Sequence, residues 1–139
     1  MVARMSREKV DDIKEKLLGS LKLTFKKIAN SLYYINGKRV NVKLTTPRQS
    51  GRYWFNIQRK ADSYIWICYN PEIQYWEAYY WIPAEDMWLY IKKGSYRDRT
   101  WEKKGRPISN FEIDTEHDLY VGKNYETSIR KFRNLETPP

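Results

Sequence analysis

The sequence predicts a mixed α/β (α+β) domain in which a sheet of four to five strands is flanked by helices. Three observations lead to this fold class: helical spacing of apolar residues near the N-terminus, a β-hairpin signal at Asn36-Gly37, and an apolar strand that precedes a helix starting at Pro83. The chain of 139 residues is long enough to bury a core without disulfides or metal. We therefore expect one domain over residues 1–139.

The first predicted element is a helix that begins at Arg7, with Ser6 as its N-cap and residues 1–6 as a loose tail. Apolar residues follow at three- and four-residue spacing, which gives the helix one apolar face. Gly19-Ser20 interrupts this pattern and leaves two alternatives. Either the helix continues to about Asn30, or it ends at Gly19-Ser20 and Leu21–Phe25 forms a short strand. We favour the second alternative.

The next elements are a hairpin and a third strand. Asn and Gly both tolerate the positive φ of a type I′ turn, so Asn36-Gly37 predicts a two-residue hairpin loop. After the turn, three apolar and three polar residues alternate along one strand, namely Val40, Val42 and Leu44 against Asn41, Lys43 and Thr45. The alternation resumes at Tyr53–Gln58. Two interpretations of these polar residues stay open, a solvated strand face and a functional site.

The second half of the chain repeats the alternation of strands and helices. Ser63–Tyr69 is apolar on both faces, which is typical of a central strand covered on both sides. Pro83 favours a helix start, and Gly94 lies just past the last lysines of that helix. The remaining predicted segments are a strand at Ala78–Ile82, a basic loop at 95–109, a strand at Phe111–Asp114, a last helix at Tyr125–Leu135 and a tail at 136–139.

The charge distribution indicates a polyanionic partner. The net charge is +9, and no Asp or Glu lies between Glu15 and Asp62. A solvated surface usually mixes both signs, so a long run of one sign favours nucleic acid over chance. Six Trp and twelve Tyr also make stacking on bases possible, although most of these rings belong in the core. The basic residues of the run are Lys16, Lys22, Lys26, Lys27, Lys38, Arg39, Lys43, Arg48, Arg52, Arg59 and Lys60.

Several kinds of chemistry are excluded by the residue inventory. Cys68 is the single cysteine and His117 the single histidine, so no Cys/His zinc site and no internal disulfide can form. Cys68 lies in an apolar run and is expected to be a buried hydrophobe, whereas His117 is expected in an exposed loop. The sequence has no glycine-rich phosphate loop and no long apolar stretch. These features favour a cytoplasmic protein without a membrane partner, a bound metal or a cofactor.

The order of segments resembles the restriction-endonuclease-like PD-(D/E)XK nucleases over about residues 8–90. The resemblance rests on a helix followed by NGKRVNVK, GRYWFNIQRK, ADSYIWICY and YYWIPAEDM. It implies a restriction-endonuclease-like mixed sheet and a catalytic site in which Lys43 is the motif lysine. Asn41 then stands at the second carboxylate and Glu8 at a helical glutamate of some members. Ser31 stands at the first aspartate, with Asn30 or Leu32 as the alternatives if the turn length differs. Because Asn41 and Ser31 are neutral, the resemblance implies weak binding of Mg²⁺.

Three hypotheses for function follow from these patterns. The first is a nucleic-acid-binding protein, with double-stranded DNA as its partner, a nuclease-like fold and an inactive metal site. The second is an active Mg²⁺-dependent endonuclease that uses relocated carboxylates such as Glu8 and Asp62. The third is a protein-interaction module or inhibitor with a basic aromatic surface. A homodimer is compatible with a two-fold duplex site. The candidate nucleic-acid-binding residues are Lys38, Arg39, Arg48, Arg52, Arg59, Lys60, Arg97, Arg99, Trp101, Lys103 and Lys104.

Overall fold

The computed structural model describes residues 5–97 and 109–139 of the chain. These residues form two α-helices, ten strands and one short 3₁₀ turn, which confirms a mixed α+β fold. In chain order the elements are α1 (Arg7–Ser20), β1 (Phe25–Ala29), β2 (Leu32–Ile35), β3 (Lys38–Thr45), β4 (Tyr53–Ile57), β5 (Ser63–Asn70), β6 (Tyr75–Pro83), α2 (Ala84–Lys93), β7 (Tyr96–Arg97), β8 (Ser109–Asp114), β9 (Leu119–Gly122), β10 (Tyr125–Ser128) and the 3₁₀ turn (Arg130–Phe132).

The first sheet is mixed and has the strand order β1-β2-β3-β5-β6. Strands β1, β2 and β3 are antiparallel neighbours, and β3 then pairs with β5 in parallel, with Val42 opposite Ile65. The hairpin between β2 and β3 turns at Asn36 and Gly37, whose φ values are 51° and 80°. The hairpin predicted from Asn-Gly is therefore confirmed.

A second, antiparallel sheet lies against the first and was not predicted from the sequence. Its strand order is β10-β9-β8-β4, and β7 pairs with the start of β8. Strand β4 belongs to this sheet because it pairs with β8, with Phe55 opposite Phe111. The sequence pattern marks both strands, but it carries no signal for a pairing between segments so far apart in the chain.

Strand β5 separates two hydrophobic clusters, because its successive side chains point to opposite faces of the first sheet. Ile65 and Ile67 pack with Leu17 and Leu18 of α1. Tyr64, Trp66 and Cys68 face the second sheet and α2. Every residue from Ser63 to Tyr69 is buried, which confirms the prediction of a central strand covered on both sides. The fold is thus a helix, a mixed sheet and an antiparallel sheet stacked in layers.

One predicted segment is wrong near α1. The helix does end at Ser20, with Ser6 Oγ accepting a hydrogen bond from Lys9 N, but Leu21–Phe25 is not a strand. Leu23 N instead donates to Leu18 O, and Lys22 turns the chain with φ 57°. The apolar side chains at 21 and 23 therefore pack as part of the helix end, and the strand begins at Phe25.

The last predicted helix is also wrong. Tyr125–Ser128 forms β10 and pairs with β9, and only Arg130–Phe132 makes a 3₁₀ turn. The three-residue spacing of Ile129 and Phe132 suits this turn as well as an α-helix, since a 3₁₀ helix repeats every three residues. Asn124, with φ 56°, lies in the tight turn that joins β9 to β10, where Tyr125 pairs with Gly122.

The remaining predicted segments are confirmed with small changes in their bounds. Helix α2 follows Pro83, and its last lysines precede Gly94. Predicted strands Ala78–Ile82 and Phe111–Asp114 lie within β6 and β8. Residues 98–108 of the predicted basic loop lie outside the described residues. In the described ranges, no helix is long and apolar enough to cross a bilayer.

Candidate nucleic-acid interface

A polar cleft opens where strand β3 runs past the end of β2. Strand β2 pairs with β3 as far as Asn41, and Val42 N then donates to Ser31 O at 2.8 Å. Beyond this point the edge of β3 is bordered by α1 on one side and β4 on the other. The larger part of the cleft has a volume of about 450 Å³ and the adjoining part about 280 Å³. Both parts are lined by Asn30, Ser31, Lys43 and Asn56.

Lys43 is held between the two sheets rather than in solvent. Its Nζ donates to the backbone O of Asn56 at 2.8 Å and to Asn56 Oδ1 at 2.6 Å. Burial, and then the positive charges of Lys14 and Arg59, lower the pKa of Lys43 to about 8. Its two hydrogen-bond acceptors are neutral, so no anion balances its charge within this contact. Gln58 Nε2 also donates to Asn56 Oδ1 at 3.1 Å, which fixes the amide.

A second lysine, Lys14 of α1, reaches the same cleft from the helical layer. The residue is 3% exposed, and its Nζ donates to Ser31 Oγ at 3.3 Å. Burial lowers the pKa of Lys14 to about 8, against the opposing effect of Asp11. The Asp11 carboxylate is 4.0 Å from Lys14 Nζ but only 2.6 Å from Lys27 Nζ. Asp11 is therefore shared between two lysines.

Two buried oxygens beside the cleft lack hydrogen-bond partners among the described residues. Asn41 is 1% exposed, and its Oδ1 has no donor. Thr45 Oγ1, four residues further along β3 and on the same face, also has none. A buried polar atom without a partner costs free energy, so these positions suit a ligand that supplies donors. The wall of the cleft is thus cationic, and two β3 side chains that line it each hold a buried oxygen without a partner among the described residues.

The donor set of the cleft does not fit Mg²⁺. Within the described part of the chain, Asp11 is the one carboxylate that lines it. Mg²⁺ requires hard oxygen ligands and usually carboxylates, whereas two lysine ammonium groups here repel a divalent cation. The neutral oxygens of Asn41 and Ser31 cannot compensate this charge. The chemistry of the cleft is that of an anion-binding site.

The structure brings together three of the four residues proposed for the degenerate nuclease site. Ser31, Asn41 and Lys43 line the cleft, and Asn41 is buried rather than on a solvated strand face. Glu8 is exposed in the first turn of α1 and does not line the cleft, whereas Asp11 does. Asp62 accepts a hydrogen bond from Arg39 N at 2.9 Å, as expected of a strand-edge acid.

Three of the predicted nucleic-acid-binding residues lie beside the cleft or at its mouth. Arg59 lines its smaller part, and the exposed Arg48 places its guanidinium 4.5 Å from the ring centroid of Trp54. Lys60 follows Arg59 and is exposed. Lys38 and Arg39 are exposed at the β2–β3 turn, and Arg52 lines a separate surface hollow near His117. Arg97 lies in β7, and Arg99, Trp101, Lys103 and Lys104 lie outside the described residues.

Sequence reasoning missed Lys14, Asp11 and Asn56 as members of the site. Lys14 could have been identified from the sequence, because it lies one helical turn after Val10 and one turn before Leu18 on the apolar face of α1. The aliphatic part of a lysine side chain on such a face either carries the ammonium group out to solvent or holds it inside the protein as a functional group. Asn56 carried no comparable signal, since an outward polar residue is ordinary in a strand.

Asp114, Glu116 and His117 form a small surface cluster whose potential ligand atoms lie within 4.8 Å of one another. Asp114 Oδ2 is 2.9 Å from His117 Nδ1, and its Oδ1 accepts from the backbone N of Glu116 and His117. The hydrogen bond from Asp114 raises the pKa of His117. The His117 side chain is 63% exposed, as predicted for a loop histidine. The cluster is therefore a turn organised by Asp114.

Comparisons with protein-family models, curated proteins and solved structures find no match for this chain. The resemblance to the PD-(D/E)XK nucleases stays a prediction, and the function has to be argued from the cleft.

Proposed function

We propose that this protein binds nucleic acid, with duplex DNA as its partner, and holds backbone phosphate at the Lys14–Lys43 cleft without metal-dependent cleavage. The observation that carries the proposal is the convergence of a buried lysine, Lys14, and a half-buried lysine, Lys43, on one cleft. The nuclease-like character of the fold belongs to the same proposal and rests on the sequence resemblance alone.

The energetics of the cleft support an anionic ligand. Each ammonium group has lost part of its hydration, and the charge of Lys14 also lowers the pKa of Lys43. A phosphate oxygen between Lys14 and Lys43 would restore the lost electrostatic stabilisation through charge-assisted hydrogen bonds. Ser31 Oγ and Asn56, which already contact these amines, would position them for that ligand.

The surface around the cleft supports a polymer rather than a small anion. Arg59 lines the cleft, and Arg48 lies at its mouth. Lys60 follows Arg59 in the connection between β4 and β5. Contacts of this kind fix the path of a phosphate backbone and release counterions, which makes the affinity depend on salt. The net charge of +9 acts in the same direction at longer range.

The donor set argues against the endonuclease alternative. Glu8 and Asp62, the carboxylates proposed for relocation, do not line the cleft, and Asp11 alone does not match the ligand needs of Mg²⁺. Without a metal, Lys43 can stabilise negative charge but has no activated water to position. Binding without cutting is the function that this arrangement supports best.

The binding part is tested by fluorescence anisotropy with a labelled duplex at several salt concentrations. We expect affinity to fall steeply with salt, and Lys14→Gln and Lys43→Gln each to reduce the magnitude of the salt slope by about 1. Lys16→Gln is the matched control, because Lys16 is exposed on α1 and does not line the cleft. An affinity that does not change with salt, or equal effects of all three variants, would contradict the proposal.

The absence of cleavage is tested with supercoiled plasmid in Mg²⁺ or Mn²⁺. We expect no nicking above the background of a buffer control. Nicking that persists through purification and is lost in Lys43→Ala would overturn this part and favour the endonuclease alternative. The far-UV circular dichroism of the variant shows whether it is folded.

A further inference from the structure

We propose that the cleft accepts a single unpaired nucleotide of the bound nucleic acid, with its phosphate at Lys14 and Lys43 and its base against Trp54. This inference rests on the proposed function and adds to it the form of nucleic acid that is recognised. It concerns a nucleotide outside the base stack, such as a bulge, an end or a flipped residue.

The depth of the lysines supports an unstacked nucleotide over an intact duplex. The Lys14 side chain is 4% exposed, and Lys43 is screened by Asn56. The phosphate of a nucleotide that has left the stack can follow its base into the cleft, and it can therefore approach both amines more closely than the phosphates of a paired duplex. The volume of about 450 Å³ lies within the range of roughly 300–1,000 Å³ that is usual for small-molecule sites. A nucleotide that leaves the stack can enter such a space.

The unpartnered oxygens require a ligand that also has hydrogen-bond donors. Inorganic phosphate at neutral pH is mainly an acceptor, and it leaves Asn41 Oδ1 and Thr45 Oγ1 without partners. A nucleotide has a base with N–H groups next to its phosphate, so it can meet the lysines and also offer a donor to Asn41 or to Thr45. Asn41 is 1% exposed, which makes an unsatisfied oxygen there costly in the free protein.

An aromatic wall completes the site. Trp54 points away from the core because Tyr53 and Phe55, its neighbours on β4, are buried. Trp54 lines the cleft, and its ring lies 5.6 Å from that of Tyr96, with an interplanar angle of 33°. Trp54 is half-buried, and base stacking on the accessible part of an indole is tolerant of sequence. Arg48 is exposed beside the same ring, so its guanidinium can move aside or extend the stack.

The test compares two labelled duplexes of equal length, one fully paired and one with a single-nucleotide bulge. We expect wild-type protein to bind the bulged duplex about tenfold more tightly, in keeping with stacking of one base. Trp54→Ala should lose this preference and keep its affinity for the paired duplex within about twofold. Trp54→Phe should retain most of the preference. Trp88→Ala is the matched control, because Trp88 is partly exposed on α2 and does not line the cleft.

The outcomes separate this inference from the proposed function. Equal wild-type affinity for both duplexes, or an equal loss on both in Trp54→Ala, overturns the inference and leaves the proposed function standing. Binding to neither duplex overturns both. If circular dichroism shows that Trp54→Ala is unfolded, Lys14→Gln replaces it. That variant should lose the preference for the bulge, and retention of the preference overturns the inference.

Discussion

Replacing Lys14 by methionine should stabilise the free protein at neutral pH, because the buried ammonium group opposes folding. The pKa of Lys14 falls from 10.5 to about 8, and each pKa unit corresponds to ~1.4 kcal/mol. Keeping the charge in the fold at pH 7 therefore costs about 3 kcal/mol. Methionine fills a similar space but loses the hydrogen bond to Ser31 Oγ, worth about 1 kcal/mol. We expect Lys14→Met to be about 2 kcal/mol more stable than wild type.

This advantage should disappear in alkaline solution. The unfolded lysine keeps its proton up to about pH 10.5, whereas the folded lysine loses it near pH 8. Between these values the unfolded state binds more protons, so the free energy of unfolding of the wild type rises with pH relative to the variant. The buried tyrosines, whose pKa values are raised, are present in both proteins and cancel in the difference. Above the unfolded pKa, the variant should be slightly less stable.

Urea unfolding at pH 7, 8.5 and 10, followed by circular dichroism, measures the difference. Lys16→Met is the control on the exposed side of the same helix, and its effect should stay within about 0.5 kcal/mol at each pH. A Lys14→Met variant less stable than wild type at pH 7 would refute the reasoning. So would a stability difference that does not change with pH.

Three further outcomes are expected. Gly122→Ala should lower the free energy of unfolding in urea by more than about 3 kcal/mol, because the added Cβ would lie 1.8 Å from Gly94 O. Gly19 has open space around it, so Gly19→Ala should leave that free energy unchanged or raise it. Tyr33→Phe should change stability by less than about 1 kcal/mol, since the buried hydroxyl has no partner among the described residues. Duplex affinity, measured by anisotropy, should fall about tenfold between pH 7 and pH 9 as the cleft lysines lose their protons, and less in Lys43→Gln. The corresponding argument would be contradicted by a large loss of stability in Tyr33→Phe, by unchanged stability in Gly122→Ala, or by a duplex affinity that does not change with pH.

Much of the local structure could be predicted because short-range chemistry decides it. Ser6 caps α1 through its own hydroxyl, and Asn36-Gly37 turns the hairpin because both residues adopt positive φ. The continuous apolar run Ser63–Tyr69 required cover on both faces, and Pro83 placed the start of α2. In each case the deciding contacts lie within a few residues of sequence or follow from the need to bury an apolar surface.

The candidate site was predicted in part. The resemblance placed Ser31, Asn41 and Lys43 at one site, and the structure brings these three residues to one cleft. The same resemblance could not identify Lys14. A lysine on the apolar face of a helix can also lay its aliphatic chain along the core and place its ammonium group in solvent. Its role depends on how α1 lies against the β1–β2 turn.

The sequence by itself determined a basic mixed α+β protein, its first hairpin and most of its strands, because periodicity and turn chemistry are local. Only the tertiary structure decided that the polar face of β3 is interior. That outcome depends on β4 lying across β3, which in turn depends on the pairing of Phe55 with Phe111. The alternation of residues in a strand specifies which side chains share a face. The element that packs on that face decides whether Asn41 and Lys43 contact water or other protein groups.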